Sequence, residues 1–188
     1  MTRSTNARIA GFTFLVYIAA GVSQMALGGA TAPDASAAKL VRIVLELLAN
    51  FSALVLAVTL YAITRDQDRD IAMLAMVCRV CEGVIGTMPG TMLTSATFFA
   101  VGSTLFAWLL LRGRMIPVPL AGLGVFASVL LVVGLPMQRA GFFGGRVAWA
   151  MWMPMLAFEV PLALWLIVKG VTTAAAPSSA PGPSRRSA

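Results

Sequence analysis

The sequence predicts an all-α membrane protein: a bundle of six transmembrane helices with both termini cytoplasmic. Three observations carry this. Hydrophobic residues make up 59% of the chain and charged residues 11%, against the roughly 45 to 50% apolar usage of soluble domains. Apolar stretches of about twenty residues, the length that crosses a bilayer core, recur along it. The basic residues behind the formal net charge of +7 sit in ones and twos beside these stretches, which is how topology-setting charges are distributed. No basic stripe with interleaved aromatics exists, so nucleic acid is not an expected partner.

The first span is 9–27, free of charge and about 28 Å long as a helix. A cleavable leader would end at Ala30-Thr31-Ala32. The apolar stretch is longer than the usual run of about 7 to 15 residues, however, and Pro33 follows at once, so a retained helix is expected. Residues 28–40 have loop composition, with Gly28, Gly29, Pro33 and Asp34. The second span, 41–63, carries Arg42, Glu46 and Asn50 at intervals of four, a polar stripe on one side of a helix.

Arg65-Asp66-Gln67-Asp68-Arg69-Asp70 forms a charged turn, with Asp70 the expected N-cap of the third helix. That helix covers 71–88 and is stopped by Met88-Pro89-Gly90. The fourth span, 94–111, has Thr97, Ser103 and Thr104 as its strong hydrogen-bonding side chains and ends at Arg112-Gly113-Arg114. In the fifth, 117–135, Gly124 and Ser128 are spaced to permit close helix approach.

Residues 136–146 are expected to be a loop. The sixth span, 147–168, places Trp149 and Trp152 near one end and Trp165 near the other, as in interfacial aromatic belts. Pro154 and Pro161 should kink it, and Glu159 is its one charge. Residues 1–171 thus form a single domain. Residues 172–188 are an Ala, Pro and Ser tail that cannot bury a core and is expected to be disordered in the cytoplasm.

Six spans put both termini on one side. Arg3, Arg8, Arg65, Arg69, Arg112, Arg114, Lys169, Arg185 and Arg186 fall on that side, against Lys39, Arg139 and Arg146 on the other. Nine against three makes the terminal side cytoplasmic.

Arg79, Glu82 and Glu159 form an intramembrane polar cluster. Counted from the cytoplasmic face they lie about 13, 17 and 14 Å deep, where an ionised side chain costs about 3 to more than 10 kcal/mol unless it is paired or watered. In the structural reading, Arg79 clamps Glu82 one turn away and Glu159 across the bundle, registering helices 3 and 6, because a planar guanidinium can satisfy two carboxylates. In the binding reading, a net acidic cluster lines a polar cavity where Glu82 or Glu159 exchanges a proton or meets a cationic or amphipathic ligand. Arg42 and Glu46 lie farther out, about 31 and 26 Å up, so Arg42 can reach the outer headgroups.

The leading expectation is a non-enzymatic structural or accessory membrane protein. The alternative is a binder or transporter of a small ligand or ion. An intramembrane enzyme comes last: two carboxylates can serve as general acid and base, but no nucleophile motif accompanies them. Whether Glu82 and Glu159 face a water-accessible cavity or a closed, dry pair with Arg79 discriminates between the readings. Beyond the lipid bilayer, a small hydrophobic or amphipathic ligand is the candidate partner, and the sequence does not identify partner proteins.

No cofactor and no metal is expected. The chain has no histidine, and its two cysteines, Cys78 and Cys81, cannot complete a tetrahedral metal shell alone. Inside an apolar helix they read as small apolar residues rather than a redox pair. The 11 methionines fill gaps. Met151, Met153 and Met155 alternate at spacing two, which spreads them around a helix instead of lining a copper path.

Four stretches carry a resemblance: Arg8-Ile9-Ala10-Gly11, Leu60-Tyr61, Arg79-Val80-Cys81-Glu82, and above all the run from Glu159 through Leu164-Trp165 to Lys169-Gly170. Over about residues 8 to 170 the chain resembles the family catalogued as domain of unknown function 4386, small multi-pass bacterial membrane proteins. The resemblance implies the topology and a bacterial plasma membrane location, and it implies no mechanism.

Overall fold

The protein is described here from a computed structural model that covers residues 2–28 and 36–171. The Ala30-Thr31-Ala32 site, most of the first expected loop, and the 172–188 tail with Arg185 and Arg186 lie outside the described residues.

Six α-helices and no strand are present among the described residues: α1 (Arg3–Gly28), α2 (Ser36–Thr64), α3 (Arg69–Ile85), α4 (Met92–Arg112), α5 (Val118–Arg139) and α6 (Gly145–Val168). All but α3 are long and apolar enough to cross a membrane. Large apolar side chains stand exposed around the outside, among them Phe12, Val44, Phe51, Val58, Leu74, Phe126 and Val133. Such a surface is at home in lipid.

The helices exceed the apolar runs at several ends, and the expected boundaries shift accordingly. Residues 36–40 belong to α2 and not to a loop, and Pro136 to Arg139 continue α5 through an internal proline. Backbone hydrogen bonding continues past the apolar stretch of each helix, where hydropathy no longer marks it. α3 starts two residues early: its N-cap is Asp68, not Asp70, with an extended backbone and a carboxylate that accepts from the Ile71 N–H at 3.1 Å. Asp70 sits in the first turn, where its charge favours the helix dipole.

At its other end α3 stops at Ile85, three residues short of Met88. Pro89 disfavours helical backbone at the residue before it. Its last carbonyls accept hydroxyls from the start of the next helix in addition to backbone N–H groups: Thr91, the N-cap of α4, donates to Ile85 at 2.6 Å, and Ser95 donates to Glu82 at 2.9 Å. α6, by contrast, remains one helix through Pro154 and Pro161.

The helices form a closed ring in chain order, each packed on its neighbours, with α6 returning to α1. α3 and α6 therefore stand opposite one another and do not pack together, so Arg79 cannot register them through direct helix contact. Small residues set the seams, as expected where lipid gives no hydrophobic drive between helices. Gly11 of α1 lies against the Ala163 backbone of α6, and Gly124 of α5 faces the Phe158 ring. Ser128, one turn on, is fully buried and donates back to the Gly124 carbonyl at 2.6 Å.

Packing differs between the two halves of the ring. Toward the terminal side, Phe14, Leu56, Leu60, Phe106, Leu110, Leu131, Leu162 and Leu166 fill the interior. Toward the other side the ring is hollow: α3 ends at Ile85 and α4 begins level with it, Thr91 reaching the Ile85 carbonyl, while α2 runs on past both from Asn50 to Ser36.

Candidate functional site

Arg79, buried to 1% exposure on α3, occupies the boundary between the filled and the hollow half. Its Nη1 lies 2.9 Å from Oε2 of Glu82, one turn along the same helix. The guanidinium carbon lies 4.8 Å from the Phe99 ring centre and 5.4 Å from that of Tyr17, so two aromatic faces supply what the single carboxylate does not. Its nitrogens make no aligned hydrogen bond among the described residues, and the ion pair and the rings hold it. Glu82 is engaged at both oxygens, since Tyr17 donates its hydroxyl to Oε1 at 2.6 Å.

Glu159 enters the same layer from α6 and is equally buried, yet its Oε1 has no partner among the described residues. No ion pair joins it to Arg79 within 4.0 Å. The layer thus holds one cation that is spent on one of two carboxylates. Glu159 and Arg79 also share the lining of a small void of about 10 Å³ on the filled side, with Phe14, Phe106 and Phe158. That is about the space of one water.

On the hollow side lies a cavity of about 540 Å³, within the usual size of small-molecule sites. Glu82 and Glu159 form its floor with Tyr17, Phe99 and Trp152, and its mouth lies among Gln24, Glu46, Met88, Gly90, Met92 and Trp149. The ring of Phe99 packs on Trp152 at 5.8 Å and on Tyr17 at 6.3 Å. Trp152 is therefore a cavity residue and not part of an interfacial belt.

The polar stripe of α2 divides. Glu46 and Asn50 line the cavity, and the buried Nδ2 of Asn50 has no partner among the described residues. Arg42 stays outside and donates to the Leu27 carbonyl at 3.2 Å, at the end of α1. Gln24 closes the same seam by donating to the Leu45 carbonyl at 3.3 Å.

Cys78 is buried against Gly102 of α4, and Cys81 is half-buried on the same helix; both are free thiols. Among the described residues no cluster of three or more metal-ligating side chains occurs.

The sequence pointed to the charged trio and the stripe but not to Tyr17, Phe99 or Trp152. A hydroxyl in the middle of an apolar span was the available signal for Tyr17. For the other two there was none, because an aromatic facing a cavity and one facing lipid look alike in a sequence.

No curated protein and no solved structure matches the chain. Residues 89–170, which carry α4, α5 and α6 and include the run from Glu159 to Gly170, match the family described as Domain of unknown function (DUF4386). Over this part of the chain the resemblance to that family holds.

Proposed function

We propose that this is a multi-pass protein of the bacterial plasma membrane, with α3 as a sixth span and both termini cytoplasmic, that binds a small ligand in the cavity between its helices. The observation that carries the reading is Glu159: a buried carboxylate with an oxygen that no group among the described residues satisfies, on the floor of a cavity of about 540 Å³. Leaving such a group unmet inside a membrane is costly, and a ligand or a proton meets it. The cavity walls are mostly apolar with a few convergent polar groups, the usual make-up of a small-molecule site.

A structural role suits Arg79 and Glu82, whose charges offset each other. It leaves Glu159, Asn50 and the cavity without a purpose.

The test is retention of a small molecule by protein purified in lipid nanodiscs, read by native mass spectrometry. Ala96→Trp places a large side chain in the cavity and should abolish retention, with helical circular dichroism unchanged. Equal retention by the filled variant would sink the proposal.

Orientation has its own check. A green fluorescent protein fused after Val171 should fluoresce, as a cytoplasmic end requires, given the excess of basic residues on that side. An alkaline phosphatase active at the same point would reverse it.

A further inference from the structure

We infer that the cavity opens sideways into the lipid between the outer halves of α1 and α6, and that it takes a single-chain amphiphile with an ammonium head, the head against Glu159 and the chain in the opening. This deepens the ligand-binding reading and rests on it.

The opening follows from helix periodicity. Trp149, Leu156 and Ala163 recur at intervals of seven and so share one side of α6. That side faces α1, because a side-chain carbon at Gly11 would lie 2.6 Å from the Ala163 carbonyl oxygen. At Ala163 the seam is shut, with no exposure. Farther along the same side, Leu156 is 36% and Trp149 is 53% exposed, although both line the cavity.

α1 agrees. Ile18 and Val22 follow Gly11 at seven and eleven residues and so keep its side of the helix. Both line the cavity, and Val22 is 53% exposed. A side-chain carbon at the neighbouring Gly21 would meet nothing within 4 Å. The two helices touch in the filled half and leave a slot in the hollow half. The α1–α2 seam, in contrast, is bridged by Gln24 and Arg42.

The chemistry of the slot selects its occupant. Its walls, Ile18, Val22, Leu156 and Met153, carry no polar side-chain group, and its outer side is lipid, which suits an alkyl chain. Its inner end meets Glu159, beside the carboxylate that Arg79 already offsets, so a cation completes the charge balance and an anion worsens it. The Trp152 ring on the floor offers an ammonium a further favourable face. A small hydrophilic cation would satisfy Glu159 but leave the slot unfilled, whereas an uncharged chain would do the reverse.

The test uses the protein in nanodiscs of zwitterionic lipid, with a bromine-tipped alkyl trimethylammonium as quencher of tryptophan fluorescence and the uncharged alcohol of the same chain as control. Trp149→Phe/Trp152→Phe gives the background from lipid-facing tryptophans. Saturable quenching by the ammonium is expected at about ten-fold lower concentration than by the alcohol, the scale of one cation held by a carboxylate and an aromatic face. Glu159→Gln should erase that difference, and Val22→Phe/Leu156→Phe, which fills the slot, should raise the half-saturating concentration about ten-fold.

Thermal stabilisation by tetramethylammonium separates the failures. If this short cation stabilises the protein in a Glu159-dependent way while the slot variant quenches like the wild type, the cavity binds cations but the sideways amphiphile is wrong. Equal quenching by ammonium and alcohol overturns the head-group assignment. If no cation, long or short, acts through Glu159 and Ala96→Trp retains as much ligand as the wild type, both readings fall.

Discussion

Arg79→Ala should lower stability by about 3 to 5 kcal/mol, the usual cost of stranding one partner of a buried ion pair. The arginine is 1% exposed, pairs with Glu82 at 2.9 Å and lies over two aromatic rings. Its removal leaves Glu82 with only the Tyr17 hydroxyl. Adding Glu82→Gln removes the stranded charge and should recover at least about 1 kcal/mol, a typical coupling between contacting residues. Adding Glu159→Gln as well should stabilise further, because it removes a second carboxylate that is buried without a partner among the described residues. Arg79→Lys keeps the charge but loses the planar group that lies on Phe99 and Tyr17, so its loss should be intermediate. Thermal unfolding in mild detergent at neutral pH orders these four variants and Glu82→Gln alone, which closes the cycle. Strictly additive losses for Arg79 and Glu82 would mean that the pair is not coupled.

Gly11→Ala should cost about 2 to 3 kcal/mol, an overpacking effect at the upper end of the usual range, because the obstacle is backbone. The added carbon would lie 2.6 Å from the Ala163 carbonyl oxygen and 2.8 Å from Ile167 Cγ1. Either α1 and α6 part along their whole seam or α6 shifts. Gly21→Ala, on the same helix, is the control: nothing lies within 4 Å, and the gain in helix propensity should stabilise by about 0.5 to 1 kcal/mol. The comparison of unfolding temperatures is internal to α1. Similar shifts for both substitutions would place the α1–α6 contact elsewhere.

Much of this was readable in the sequence, and the division between what was and was not has a physical basis. Apolar length gave the helices, but their ends lay in polar sequence: Ser36–Leu40 and Pro136–Arg139 are helical where composition reads as loop. Counting along the helix axis put Arg79, Glu82 and Glu159 in one layer. The Arg79–Glu82 pair, one turn apart on one helix, was readable as well, but the expected clamp on Glu159 does not form, since depth says nothing about position around a ring. α3 and α6 turn out to be opposite each other, so Glu82 takes the arginine and Glu159 is left without it. The cavity was only one of two readings open to the sequence, for its size and place depend on where α3 and α4 end beside the longer α2.

The order of the ring bears on how the protein is made. Neighbours in space are neighbours in sequence from α1 to α6, so each nascent hairpin can dock as it leaves the ribosome, through contacts of low sequence separation that form fast. One joint is different. α1 must wait, with one flank uncovered, until α6 has been synthesised and the two ends of the chain can meet. Gly11 and Ala163 make that late union firm at one end, and its other end never zips. An opening at the final joint is also the one that can widen without undoing any helix hairpin already built.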